Sequence, residues 1–134
     1  MSMRMLIAGL SLGLVVILGI IGWLVFAGPN GGSGDPVWTV SGGDSRQGRR
    51  AVVGYGCSSC HVISGVRRAT GRVGPKLEEI VRQIYIGGVL PNSPNNLIRW
   101  IRNPQEFSPE TAMPDLAVSE QDARHIASHL YGLQ

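Results

Sequence analysis

Two thiols three positions apart are followed at once by an imidazole in the run Cys57-Ser58-Ser59-Cys60-His61. On one helical turn, residues three apart lie on one face, so both sulfurs can reach the two vinyl groups of a single porphyrin. His61, next in the chain, would meet the iron through one ring nitrogen, while the other nitrogen donates a hydrogen bond that fixes its tautomer and orientation. The pattern is therefore read as a covalent haem attachment site, with one haem c as the expected cofactor.

Other uses of the same residues are weaker. A zinc ribbon needs four ligands, and these are the chain's 2 cysteines, so no second pair closes a tetrahedral site. A dithiol redox centre remains an alternative, although it belongs beside a βαβ pattern that the sequence does not display. A structural disulfide across so short a loop is unfavourable.

At 134 residues and net charge +3, the chain has room for one small domain beside its first segment. From Met5 to Ala27 the sequence is apolar and uncharged. As a helix this stretch would run roughly 34 Å, enough to span a bilayer. The expectation is an uncleaved signal anchor over residues 1–27, with Arg4 holding the N-terminus in the cytoplasm and the remainder on the periplasmic side of a bacterial inner membrane. A cleaved signal peptide ending at Val25-Phe26-Ala27 is the competing reading. Gly9 and Gly13 have the spacing that lets a second helix approach closely, and Trp23 suits the outer interface.

Residues 28–45 are rich in Gly, Ser, Pro and Asn and read as a linker, with a flexible reach of roughly 20–25 Å. Val37-Trp38-Thr39-Val40 interrupts it, as a clip against the following domain or as a docking segment. Residues 46–134 form the expected haem domain. Its helices are expected near 46–56, 93–103 and 119–132, and the fold class is all-α. Ser93 with Pro94 marks the start of the middle helix and Asn103-Pro104 its end; Ser119 with Asp122 marks the start of the last.

A low-spin haem needs a sixth ligand. Met113 is the best placed, in Pro109-Glu110-Thr111-Ala112-Met113-Pro114, a proline-rich stretch free of helix where a thioether can be presented without breaking a helix. His125 and His129 are spaced four apart on the last helix and read as two partly exposed helical histidines rather than a second metal site. Arg67, Arg68, Arg72 and Lys76 form a basic segment, either a solvated face or a surface that steers the chain toward an acidic partner. No nucleic-acid motif is present, so nucleic acid is not an expected partner.

Taken in order, Cys57-Ser58-Ser59-Cys60-His61, Gly74-Pro75-Lys76-Leu77 and Thr111-Ala112-Met113-Pro114 resemble the motifs of class I cytochromes c, over roughly residues 44–134. The resemblance implies that Pro75 offers its carbonyl to His61 and that Leu77 packs against the haem plane. The segment from Gly88 to Gln105 looks like the cytochrome c domain fused to subunit two of some haem-copper oxidases. In such domains a tryptophan and arginines near this helix reach the haem propionates, so Trp100, Arg99 and Arg102 are candidates by resemblance. The chain departs from that subunit in having one expected membrane helix rather than two and no preceding copper domain.

The function implied is single-electron transfer by a membrane-anchored mono-haem cytochrome between respiratory or photosynthetic complexes. The expected partners are a terminal oxidase or a quinol-oxidising complex, with no small-molecule substrate and no bond chemistry on the chain itself. A fixed electron-entry subunit, like the small haem subunit of nitric oxide reductases, is the alternative. A haem sensor or peroxidase-like enzyme, in which Met113 leaves the iron, is a third reading that nothing positive in the sequence supports.

Overall fold

The computed structural model describes residues 13–23 and 38–133. The chain divides into two compact units, Met1–Asp35 and Pro36–Gln134. In the first, the described stretch 13–23 is helical (α1), and Leu14, Val15, Ile17, Leu18 and Trp23 are exposed.

The expected anchor is not supported by the described residues. Residues 5–12 and 24–27, where the rest of it would fall, lie outside the described residues, as do Arg4, Gly9 and most of the expected linker. The described part of α1 accounts for about 16 Å, half of a hydrocarbon core of about 30 Å. Among the described residues no helix is long and apolar enough to cross a membrane. The single-pass anchor and the inner-membrane localisation built on it therefore do not stand.

The second unit is built on α2 (Ser45–Gly54), α3 (Pro94–Arg102), α4 (Pro104–Phe107) and α5 (Glu120–Tyr131). Each of the longer helices opens on a side-chain cap. Asp44 accepts from the Gln47 N–H at 2.8 Å, Ser93 from Asn96 at 3.3 Å and Ser119 from Asp122 at 3.1 Å. Pro94 and Pro104 stand at the first positions of α3 and α4, where a missing N–H costs nothing.

The all-α expectation is also corrected. Tyr85–Ile86 (β1) pairs antiparallel with Leu90–Pro91 (β2), Ile86 opposite Leu90. The connection is Gly87-Gly88-Val89, in which the Val89 N–H returns to the Ile86 carbonyl at 3.1 Å and Gly87 and Gly88, with φ of 57° and 75°, are the left-handed pair at the centre of the turn. Strands of two residues are too short to carry a period, which is why alternation could not announce them. Gly87 has a second duty, because a Cβ there would fall 2.3 Å from the Trp100 ring.

α2 and α5 meet along their length. Gly48 is buried at the crossing, and a Cβ on it would sit 1.9 Å from the His125 carbonyl oxygen, so the two backbones approach as only glycine permits. Val52, Ala123, Ile126 and Ala127 fill the seam. Ile80, Val81, Ile86, Leu97, Ile98, Ile101 and Leu130 complete the core with Trp100. Within the stretch expected as linker, Trp38 and Val40 pack against this core, Trp38 lying 5.7 Å from the Tyr131 ring.

His125 and His129 are not partly exposed but buried, at 8% and 7% exposure. Their i,i+4 face is the one α5 turns toward the start of α2. His125 Nδ1 accepts from the Asp44 N–H at 2.9 Å, and His129 Nδ1 lies 3.3 Å from Ser45 Oγ. His129 Nε2 is buried without a partner. Tyr55 donates to Asp122 at 2.8 Å, tying the far end of α2 to the first turn of α5.

Gly48→Ala should cost about 2–3 kcal/mol in chemical denaturation, because the methyl meets backbone that cannot turn aside. Burial, reinforced by Arg49, lowers the pKa of His129 below its ordinary value. A base with a lowered folded pKa takes its proton more readily when unfolded, so stability rises with pH and is lost as pH falls below about 6.5. Urea midpoints should decline from pH 7 to pH 5, and His129→Gln should flatten that decline.

Candidate functional site

The segment after α2 is turned by Gly56, at φ 72°, into a 3₁₀ turn over Cys57–Ser59 that carries the thiol pair. The Ser59 hydroxyl closes back on the Gly56 carbonyl. The Cys60 and His61 N–H groups both donate to the Cys57 carbonyl, at 3.2 and 3.0 Å, so the two sulfur-bearing residues and the imidazole share one tight turn. Both thiols are free and partly buried. Burial pushes the Cys57 thiol above its ordinary pKa, and proximity to Cys60 adds to it. A redox dithiol depends on the opposite shift, a stabilised thiolate, so that alternative loses ground.

Residues 71–77 wrap over this turn. Gly74 N–H donates to the Cys60 carbonyl and Leu77 N–H to the Val62 carbonyl, each at 2.9 Å. The wrap brings the Pro75 carbonyl to 2.7 Å from His61 Nδ1, which therefore donates and leaves Nε2 as the basic nitrogen. It also lays Gly74 flat against the ring. A Cβ at Gly74 would lie 2.3 Å from Cε1 and 2.9 Å from Nε2 of His61.

His61 opens on a largely apolar cleft of about 230 Å³, which Cys60, Gly74, Pro75, Leu77, Trp100 and Met113 also line, with Ile80, Ile86, Leu97, Ile101 and Leu130 as further apolar wall. Met113 reaches it from the segment between α4 and α5. Thr111 Oγ1 accepts from the Met113 N–H at 3.3 Å, and the Gln105 side-chain amide donates to the Met113 carbonyl at 2.7 Å. Met113 also packs against the core, while Pro109 and Pro114 of its loop are exposed.

The cleft thus gathers Cys60, His61, Pro75, Leu77, Trp100 and Met113, with Cys57 one turn away against the core. It does not gather the arginines. Arg99 pairs with Glu106 at 3.1 Å and lies 4.6 Å from the centre of the Phe107 ring. Arg102 pairs with Glu120 at 3.4 Å. Arg124 and Arg102 both hold the Glu120 carboxyl below its usual range, Arg124 the more strongly through a hydrogen bond of 2.7 Å.

Three contributors carry no chemical signal of their own in the sequence. Gly74 shapes the space beside His61, and Gln105 fixes Met113. Asn92 donates to the Ile80 and Gln83 carbonyls, at 2.6 and 2.8 Å, and accepts from Tyr131 at 2.6 Å, which holds the cleft's outer wall to α5. Gly74 alone was open to a sequence reading, through its place before Pro75.

No family model matches the chain. Among curated proteins it is similar to cytochrome c oxidase subunit 2 of Alkalihalophilus pseudofirmus, 31% identical over 91 residues, which is 67% of this chain and 26% of that protein. The chain therefore spans about a quarter of the length of this relative. No solved structure matches it.

Gly74→Ala should displace the His61 ring and break its bond to Pro75. Long-range ¹H–¹⁵N spectra of the imidazoles should then show His61 leaving the Nδ1–H tautomer, with a stability loss of about 1–3 kcal/mol.

Proposed function

We propose that the unit from Pro36 onward is a mono-haem electron-transfer domain, with haem c joined to Cys57 and Cys60, His61 and Met113 as axial ligands, and a terminal oxidase as its electron partner. The observation that carries this reading is a single arrangement. The Cys57–Cys60 turn delivers His61 with Nδ1 committed to Pro75, and His61 and Met113 line the same apolar cleft.

The donor set suits an iron porphyrin better than a bare ion. Among the described residues no group of three or more His, Cys, Asp and Glu side chains could hold a metal by itself. One imidazole nitrogen, one thioether and two thiols beside apolar walls match a flat macrocycle that brings four ligands of its own. When bound, haem supplies a one-electron ferric/ferrous couple.

The chain's own residues tune and protect that couple. The His61 N–H to Pro75 bond holds Nε2 in one orientation. The soft Met113 sulfur favours the reduced state. With haem bound, Leu77, Trp100, Ile101 and Leu130 would cover it with apolar surface, and the low dielectric there would disfavour the more charged oxidised form. Trp100 and Leu77 are read as cofactor contacts. Arg99 and Arg102 could serve propionates only after exchanging their present carboxylate partners.

Between Ser45 and Leu77 the sequence places Arg46, Arg49, Arg50, Arg67, Arg68, Arg72 and Lys76 and not one acidic residue. The structure joins two parts of this run, since Arg49 donates to the Gly65 carbonyl at 2.6 Å. Glu78, bonded to Ser64, is the carboxylate folded back against this run, and the excess of positive charge along it supports encounter with an acidic partner surface. The similarity to an oxidase subunit 2 supports placing that partner in a respiratory oxidase.

Protein made with a haem-attachment system should carry haem that survives denaturation. It should titrate at a positive potential and stay inert to carbon monoxide when reduced. Met113→Ala should bind carbon monoxide and fall in potential, and Cys57→Ala/Cys60→Ala should lose covalent haem. A wild type that binds carbon monoxide would overturn the His61/Met113 assignment.

A further inference from the structure

Resting on the reading of Met113 as a ligand, we infer that Gln105 is a positioning residue that holds Met113 in the cleft. The two residues are eight apart, on either side of the turn that leaves α4. The Gln105 side chain is half-buried and its amide donates to the Met113 carbonyl at 2.7 Å.

That bond stands out against the rest of the segment. Among the described residues, the other hydrogen bonds of 109–118 are Thr111 N–H to Ser108, Met113 N–H to Thr111 Oγ1 and Ala117 N–H to Asp115, each spanning three residues or fewer. They shape turns but do not anchor them. Among the described residues Gln105 is the polar link from this segment to a helix, and it grips the carbonyl of the residue whose side chain must be aimed.

The anchoring element is itself fixed. Pro104 is buried at the start of α4, and Phe107, one turn on, packs against the core beneath Arg99. A rigid short helix therefore supplies the donor, and the flanking Pro109 and Pro114 restrict what the loop can do without it. Because Gln105 touches the backbone of Met113 and not the cleft, it acts on how long the thioether stays in place.

The test uses ferric holoprotein and the weak thioether-to-iron charge-transfer band, followed as pH is raised until the methionine is displaced. Gln105→Leu keeps the bulk and removes the donor. A neutral hydrogen bond lost from the bound form should increase the displaced population about five-fold, lowering the midpoint by about 0.7 pH unit. Gln105→Lys, which retains an N–H donor of similar reach, should reverse most of that shift and bring the midpoint back toward wild type. Should the leucine variant not fold, Gln105→Ser, too short to reach the carbonyl, gives the same reading.

An unchanged midpoint in Gln105→Leu, or a lysine variant as low as the leucine one, would overturn the inference while the wild-type band keeps Met113 as ligand. A wild type without the band removes Met113 as ligand and the inference with it.

Discussion

Everything in the second unit is referred to the crossing of α2 on α5. Gly48 lets the backbones touch at His125, and once they touch, the positions of the capping residues follow. Asp44 both caps α2 and gives its own N–H to His125, so the start of one helix is keyed to a side chain in the middle of the other. With Tyr55 bonded to Asp122 at the other end, α2 can neither slide nor roll on α5. The Cys57 turn leaves directly from this clamped helix, and Leu130 of α5 forms part of the cleft wall. The crossing thus sets the distance between the thiol turn and the wall it faces.

A different economy governs the cleft. Few of its residues belong to long helices, and most come from turns, the hairpin and the segment around Met113. Such segments are pinned by specific contacts, among them Pro75 with His61, Gly87 against Trp100, Asn92 with Tyr131 and Gln105 with Met113. Trp100 is shared, since its ring is at once a cleft wall and the floor under the hairpin turn. A change in the hairpin is therefore a change in the cleft.

What could be read from the sequence was whatever is local. Ser93-Pro94 and Ser119 announce their helices because a cap and the N–H it satisfies lie within three residues. Cys57, Cys60, His61 and Met113 stand out because their side chains do chemistry that few residue types can. The hairpin was missed because two-residue strands show no period, although Gly87-Gly88 between apolar residues was a local signal that could have been weighed. The anchor over 1–27 was read from the length of an uncharged apolar run behind Arg4, and among the described residues no helix is long and apolar enough to serve as one. His125 and His129 look exposed in sequence because burial depends on which face meets α2, and that is decided by Gly48, some eighty positions away. Gln105 was out of reach for the same reason, since only the path of the loop brings Met113 back to it.

The separation of these partners has a kinetic meaning. Asp44 and His125 are 81 positions apart, and Ser45 and His129 are 84 apart. The seam that organises the domain therefore joins its first helix to its last, and the chain between must be drawn into one loop before the pairing yields any gain. During synthesis α2 would emerge and wait, its Gly48 face uncovered, until α5 leaves the ribosome. For that interval the Cys57–Cys60 turn stands beside a cleft that still lacks its Leu130 wall, and both sulfurs are open from that side.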